Sequence, residues 1–374
     1  MSGSRPRTSP SDNLFWRAAC AVPLLGSAVW CSQSRHSLPP SGDAVPPRYF
    51  RSPSSGLLVH HRSWLPAGPP RGVVYLLHGL FEHVERYTHV GAFLAAAGFA
   101  VHGLDHQGHG QSEGDGGYFA SFDSMVADAL HLVQVALPAP EGVPRFLFGA
   151  LESAPHPRPP ARPPARRAHA HAPTSTPPPT RARARVPCRS PPPPPLPPGH
   201  SMGGLLALMV VRAAPAGFFK GLALSAPAIK ADPAVDNALN RFMAGLLSAS
   251  FPKLEVAPLP KTHLCSVADV VAQYERDPLV FHGRLRARVG AEFIKTQPLA
   301  LAFASQLTLP LLIVHGEDDG LVPIAGSRAL LAGAASADKE LRTYPGLQHE
   351  LHNEKGSLEV GSMAHIKAWV EQRL

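Results

Sequence analysis

The sequence is short of cysteine, of acidic residues and of any long apolar run. Its four cysteines are scattered, with Cys20 and Cys31 near the start, Cys188 in a proline-rich stretch and Cys265 in the remainder. Neither a disulfide framework nor a cysteine-based zinc site is supported by that spacing. The longest apolar run, Ala18 to Cys31, contains Pro23 and falls short of the ~20 residues that a membrane-spanning helix needs. Acids are outnumbered, 27 against 35 Lys and Arg, leaving a formal charge of +8. With 43 prolines and 20 histidines in 374 residues, that balance taken alone suggests a partly disordered, basic, nucleic-acid-binding chain.

Position removes the suggestion. Residues 150–199 hold 18 of the 43 prolines and eight arginines against Glu152, and so carry +7. Residues 1–47 add +2, which leaves the rest of the chain at −1. That remainder is ordinary, near-neutral and apolar enough to bury a core, so nucleic acid drops out as an expected partner. The 1–47 segment, with serine and arginine and few acids, suits an organellar transit segment. Its apolar run behind Arg17 also suits a secretory signal, and an untargeted tail has the same composition.

From residue 48 short apolar runs bounded by Gly or Pro alternate with helical patterns. An antiparallel lead-in from Tyr49 precedes a strand at 73–77, a helix at 84–97, a strand at 99–104, a helix at 122–137 and a strand at 145–148. The same grammar resumes with a helix at 202–214 and strands at 221–224, 311–315 and 341–344, with helices at 324–332 and 358–372. This order implies an α/β fold with a mostly parallel sheet flanked by helices, whose chemistry collects at the carboxyl ends of the strands. The core is expected in three pieces, 48–149, 200–226 and 299–374. Between them, 227–298 loses the alternation, and Val235, Leu239, Phe242, Met243, Leu246 and Leu247 recur at helical spacing. A helical cap over the sheet is expected there, with Leu239, Phe242, Met243 and Leu246 either walling an acyl pocket or dipping into a lipid surface, or else packing a small subdomain of their own.

Gly199-His200-Ser201-Met202-Gly203 fits G-x-S-x-G, in which glycines permit the sharp strand-to-helix turn that exposes a serine hydroxyl. The strand at 311–315 runs into Gly316-Glu317-Asp318-Asp319, and that at 341–344 runs into a loop carrying His349. Serine, acid and histidine thus follow in order at strand ends. Ser201 is a poor nucleophile until a base takes its proton, so His349 is expected as that base. Asp319 is expected to orient the imidazole. It is favoured over Asp318 because it lies three residues past Gly316, leaving the intervening acids to the turn. The oxyanion formed by attack needs two backbone N–H donors, expected from Met202 and Leu80. No metal or organic cofactor is required by this chemistry.

Six segments together resemble the monoacylglycerol lipase family of α/β-hydrolases, within the serine-aminopeptidase-like and lysophospholipase group. They are HGLFEHVERY (78–87), DHQGHGQSEG (105–114), HSMGG (200–204), YERDPL (274–279), HGEDDGLVP (315–323) and YPGLQHELHNE (344–354). The resemblance implies an α/β-hydrolase fold, Ser201, Asp319 and His349 as the triad, Leu80 and Met202 as the oxyanion donors, and residues 227–298 as a lid over an acyl pocket. It also implies a lipid ester substrate, with lysophospholipid, small esters or acyl transfer as chemically equivalent alternatives. At Phe81 the family commonly has glycine, so a bulky ring is expected to narrow the site beside the oxyanion donor.

The histidines also invite a metal reading, through His102, His106 and His109 near Asp105 and through His349-Glu350-Leu351-His352. The second fails on spacing, since a zinc helix needs its histidines four apart. The first is expected to be a structural loop near the site.

One segment sits where it should not. A strand ending in Phe148-Gly149 should lead straight into the nucleophile turn, and joining Gly149 to His200 restores an unbroken FLFGHSMGG. Proline cannot donate to a central ladder, so the run at 191–198 cannot substitute for that strand. The 50 residues of 150–199 are a whole number of codons, and their last residue, Gly199, duplicates Gly149 before them, as a retained intron spliced within a glycine codon would. If translated they read as a disordered proline-rich loop or as a basic binding tract. A hydrolase body disabled by this tract, acting only as a scaffold, is the non-enzymatic alternative.

Overall fold

The structure is a computed structural model and describes residues 45–149, 202–231, 237–258, 263–359 and 361–374. The segment 1–44, the tract 150–199, Ser201 and Val235 lie outside the described residues.

Along the chain run β1 (Tyr49–Arg51), β2 (Leu58–Trp64), β3 (Gly72–Leu77), α1 (Thr88–Ala96), β4 (Phe99–Leu104), α2 (Phe122–His131), β5 (Arg145–Gly149), α3 (Met202–Ala213) and β6 (Gly221–Ser225). The region where a cap is expected contributes α4 (Ala238–Ser250), β7 (Glu255–Ala257), α5 (Ala268–Arg276), β8 (Leu285–Arg286) and α6 (Ala287–Phe303). The chain then returns through β9 (Leu311–Gly316), α7 (Ile324–Gly333), β10 (Lys339–Tyr344) and α8 (Ser362–Glu371).

Eight strands form one sheet in the order β1-β2-β4-β3-β5-β6-β9-β10. The first two run antiparallel to their neighbours and the other six are parallel. This is the mostly parallel α/β sheet expected from the alternation, in the α/β-hydrolase form that the resemblance implies. The central strands are apolar throughout because both faces are covered. In β3, Val73, Tyr75 and Leu77 enter one core with Leu205, Leu206 and Met209 of α3. Val74 and Leu76 enter the other with Val90 and Leu94 of α1 and Ile366 and Trp369 of α8. The parallel register brings Leu77 level with Leu104 and Gly149, Gly149 with Leu224, and Tyr344 with Gly316, so the carboxyl ends of these strands form one edge.

Three expectations are corrected. The last helix begins at Ser362, because residues 351–359 turn repeatedly and Gly356 takes φ 74°. Pro298 does not bound the cap, since it lies within α6, whose Val289 and Ala300 both pack into the core of Leu205. Helix α6 therefore packs into the main core although it begins inside the region where a cap is expected, and its buried Glu292 accepts from the N–H of Phe122 at the start of α2, 3.0 Å. The third concerns α4, where the pocket-wall and self-packed alternatives do not match the exposure of Leu239, Phe242 and Leu246 while the outward-facing one does. The helix seats its small and polar face, Asn240, Ala244 and Ser248, while Leu239, Phe242 and Leu246 stand 61, 67 and 50 % exposed and Met243 is half-buried. Small side chains let the packed face approach closely, which leaves the large apolar ones on the outer face. Phe251 (63 %) and Leu254 (44 %) extend that surface.

Candidate active site

Strand β9 ends in a turn whose third residue, Asp319, buries its carboxylate. Oδ1 accepts the N–H groups of Leu321 (2.8 Å) and Val322 (2.9 Å), which fixes the carboxylate against its own turn. Oδ2 accepts from Nδ1 of His349 at 2.6 Å and lies 3.2 Å from Nε2 of His315. Burial alone would raise the Asp319 carboxyl, but the charge of His349 and the hydrogen bonds from His315 and His349 outweigh it and hold the group well below the usual carboxylate range. Asp318 and Glu317 are exposed, and Glu317 accepts from the hydroxyl of Thr343. The acid expected from the spacing, rather than its neighbour, is the one that meets the histidine.

The loop carrying His349 is stitched down on several sides. Glu317 donates its N–H to the carbonyl of Tyr344 and Asp318 donates to Leu347, while Glu350 donates to Leu264, 2.8 Å. Gly316 is required here by close approach: a Cβ at that position would collide with the carbonyl oxygens of Leu347 and Gln348. His352 turns away from Asp319 and stacks on Tyr87 and His89, with centroids 5.8 and 5.5 Å apart.

Ser201 lies outside the described residues; β5, before it in the chain, and α3, directly after it, are described. Gly149 ends β5 against the first turn of α3, where a Cβ on Gly149 would fall 2.5 Å from the Cα of Gly204. A Cβ on Gly203 would fall 2.7 Å from the carbonyl of His78. These close approaches press the amino terminus of α3, led by the buried Met202, against the loop that holds Leu80. The two expected oxyanion donors thus belong to segments in contact. An exposed helix start would offer N–H groups already biased toward negative charge.

That loop is held by buried polar groups that sequence reasoning did not single out. His78 donates from Nδ1 to the carbonyl of Gly79 (2.7 Å) and accepts at Nε2 from the N–H of His106 (2.9 Å), which fixes its neutral tautomer. Burial and the neighbouring His106 and His109 depress the His78 imidazole, and burial with His109 lowers His106 to about 3. Glu82 accepts from the N–H of Gly79 and from the hydroxyl of Tyr87 (2.6 Å). The 105–114 loop has the structural role expected of it: Asp105 accepts from His60 (2.9 Å), Val84 N–H (2.6 Å) and Gln111 N–H (2.9 Å). The visible signal for these roles was an unusual density of His and Glu around two glycines, in a sequence otherwise poor in charge.

Phe81 takes φ 73°, the left-handed region that a side chain disfavours, which explains why glycine suits this position. Its ring is 1 % exposed and packs against Phe281. The ring expected to narrow the site beside the oxyanion donor is thus taken up in packing with Phe281, from the region where a cap is expected.

Comparison with known proteins gives a family match over residues 68–150 and 186–356, to the family described as serine aminopeptidase, S33. The chain belongs to that family of α/β-hydrolases. Among its relatives, a monoacylglycerol lipase of Mycolicibacterium smegmatis is 32 % identical over 319 residues, covering 85 % of this chain and 95 % of the relative. A human monoglyceride lipase is 27 % identical, covering 86 and 89 %. A soluble variant of the Saccharomyces cerevisiae monoglyceride lipase, solved with a substrate analogue, shares the fold with a TM-score of 0.65 at 19 % identity, covering 90 and 99 %. This hydrolase therefore sits in the monoacylglycerol lipase group and is a serine ester hydrolase.

Proposed function

We propose that this hydrolase cleaves monoacylglycerol to fatty acid and glycerol through an acyl-enzyme on Ser201. The observation that carries the reading is the 2.6 Å bond between His349 and Asp319, at the edge where β5 and α3 flank the serine pentapeptide. His349 accepts the Ser201 proton as Oγ attacks the ester carbonyl, and the backbone N–H groups of Leu80 and Met202 hold the resulting oxyanion. Collapse of the tetrahedral intermediate expels glycerol, which takes the proton from His349. Water then attacks the acyl-enzyme with His349 again as base, freeing the fatty acid and regenerating the serine. Asp319, kept ionised by its partners, holds the imidazole in the tautomer that presents Nε2 to the serine and stabilises its charged form. No step in this scheme calls on a metal or an organic cofactor.

The relatives named as monoacylglycerol lipases favour that substrate. The outward apolar row of α4 favours a lipid surface as the place where it is met. Residues 150–199 stand outside this reading as an insertion dispensable to the fold. Gly149 lies against Gly204 at the start of α3, and the family match leaves out residues 151–185.

A panel of monoacylglycerols, lysophospholipids and short-chain esters tests the proposal. Monoacylglycerols are expected to give the highest kcat/KM, and Ser201→Ala to remove turnover. Turnover that survives in Ser201→Ala overturns the mechanism, and preference for a lysophospholipid overturns the substrate.

A further inference from the structure

We propose that the cap segment Asp277–Phe281 is a clamp on the loop that carries Leu80, making Asp277 and Phe281 positioning residues for the hydrolysis. The inference rests on the reading above, in which Leu80 N–H serves the oxyanion.

Residues 78–83 connect β3 to the short 3-10 turn at Val84–Tyr87, and their middle is conformationally costly. Phe81 is held at φ 73°, a region that only glycine visits freely, so the surroundings must impose it. Two anchors do so. From below, Glu82 accepts from the N–H of Gly79 and is itself held by the Tyr87 hydroxyl. From above, the cap supplies four contacts within a few residues. Phe281 donates its N–H to the carbonyl of Phe81 at 2.8 Å, and the two rings meet edge to face with centroids 5.0 Å apart. His83 donates from Nε2 to Oδ2 of Asp277 at 2.9 Å, and the guanidinium of Arg86 lies 4.9 Å from the ring centroid of Tyr274.

Leu80 sits between a residue fixed by Glu82 and a residue fixed by Phe281. An oxyanion donor acts through preorganisation, and a displacement of about 1 Å can cost about 100-fold in rate. The aromatic pair is accommodated by Gly117, where a Cβ would fall 2.8 Å from Phe81 Cε1. Asp277 is itself braced, because its Oδ1 accepts from the N–H of Leu279 at 2.9 Å. Burial would raise its carboxyl, yet the bond and charge of His83 bring it below the usual range, so the clamp carries a carboxylate at neutral pH.

The test uses the full chain and four variants: Asp277→Asn, Asp277→Glu, Phe281→Ala and, as a control on the exposed face of α5, Asp269→Asn. Active sites are counted by fluorophosphonate labelling, so that loss of folded protein does not masquerade as loss of rate. Asp277→Asn and Phe281→Ala are expected to lower kcat per labelled site by about 10- to 100-fold with KM nearly unchanged, and to weaken a trifluoromethyl ketone, which binds as an oxyanion, by a similar factor. Asp277→Glu recovers part of the loss and Asp269→Asn shows none. Independently of turnover, amide exchange in peptides covering residues 78–87 speeds up in Asp277→Asn and not in the control. Unchanged kcat and ketone affinity in both disrupting variants, with Ser201 still essential, overturns the clamp alone, as does unchanged exchange in residues 78–87. Turnover without Ser201 sinks the serine mechanism, and with it the catalytic purpose of the clamp.

Discussion

Gly316 lies so close beneath Gln348 that no side chain fits between them: a Cβ on the glycine would collide with the carbonyl oxygen of Gln348, the residue before His349. The end of β9 and the turn after β10 are thereby set at one separation, which is the separation that lets Asp319 reach His349. Gly316→Ala is expected to push this loop outward and lower kcat by about 100-fold, since a shift near 1 Å has that cost. Steady-state kinetics beside a thermal melt check it. A rate that stays within twofold of the parent refutes the role given to the glycine.

Asp319→Asn leaves the size of the side chain unchanged but loses the carboxylate that fixes the imidazole tautomer. A fall of roughly 10⁴-fold in kcat is expected, with fluorophosphonate labelling slowed in parallel. Asp318→Asn, altering an exposed side chain of the same turn, is expected to leave both within about twofold.

The same carboxylate shapes stability in acid. Its value in the folded chain lies below the ordinary one, so the unfolded chain binds the proton more readily. The stabilisation is complete above the unfolded value, about 3.9, and is lost as pH falls toward the folded one. Urea midpoints of the parent should therefore drop steeply below about pH 4, and Asp319→Asn should start lower at neutral pH but fall less steeply in acid. Parallel acid limbs contradict this assignment.

Leu239, Phe242 and Leu246 offer a separable test of the lipid surface, because they are exposed. Changing all three to serine is expected to reduce binding to phospholipid vesicles by tenfold or more, each buried side chain contributing on the order of 1.5 kcal/mol. The melting temperature and hydrolysis of a soluble short-chain ester should change little. Equal vesicle binding by parent and variant removes the membrane role.

Deleting residues 150–199, so that Gly149 precedes His200, is expected to give a folded protein whose labelling at Ser201 equals or exceeds that of the full chain. Peptide mapping of the natural protein bears on the same question: a peptide running through Phe148 and Gly149 directly into His200 supports a retained intron, and abundant peptides from residues 150–190 oppose it.

Much of this fold was legible because its central strands are buried on both faces and so read as short apolar runs between Gly and Pro. Asp319 and His349 were legible for a related reason, since parallel strands deliver their loops to one edge. The outward face of α4 was not. Periodicity shows that Leu239, Phe242 and Leu246 share a side of the helix, but it carries no sign to say whether that side meets protein or surroundings. The small residues Asn240, Ala244 and Ser248, which decided the matter, look unremarkable in sequence. The clamp was invisible because His83 and Asp277 are 194 residues apart and neither stands at a strand end. His315 was overlooked as a second neighbour of Asp319 because, inside an apolar strand, it reads as a core position.

The abutment of Gly149 and Gly204 separates two properties usually lost together. When the exit and re-entry points of a chain are neighbours, the closure entropy of whatever lies between grows only as the logarithm of its length, about 0.6 kcal/mol per doubling. By that scaling a detour of fifty residues costs the body only about 2 kcal/mol. Ser201, however, is the second residue after that detour, and catalysis requires its hydroxyl to be placed to a fraction of an ångström. Melting curves of the two forms would differ by several degrees, and catalysis would separate them far more sharply.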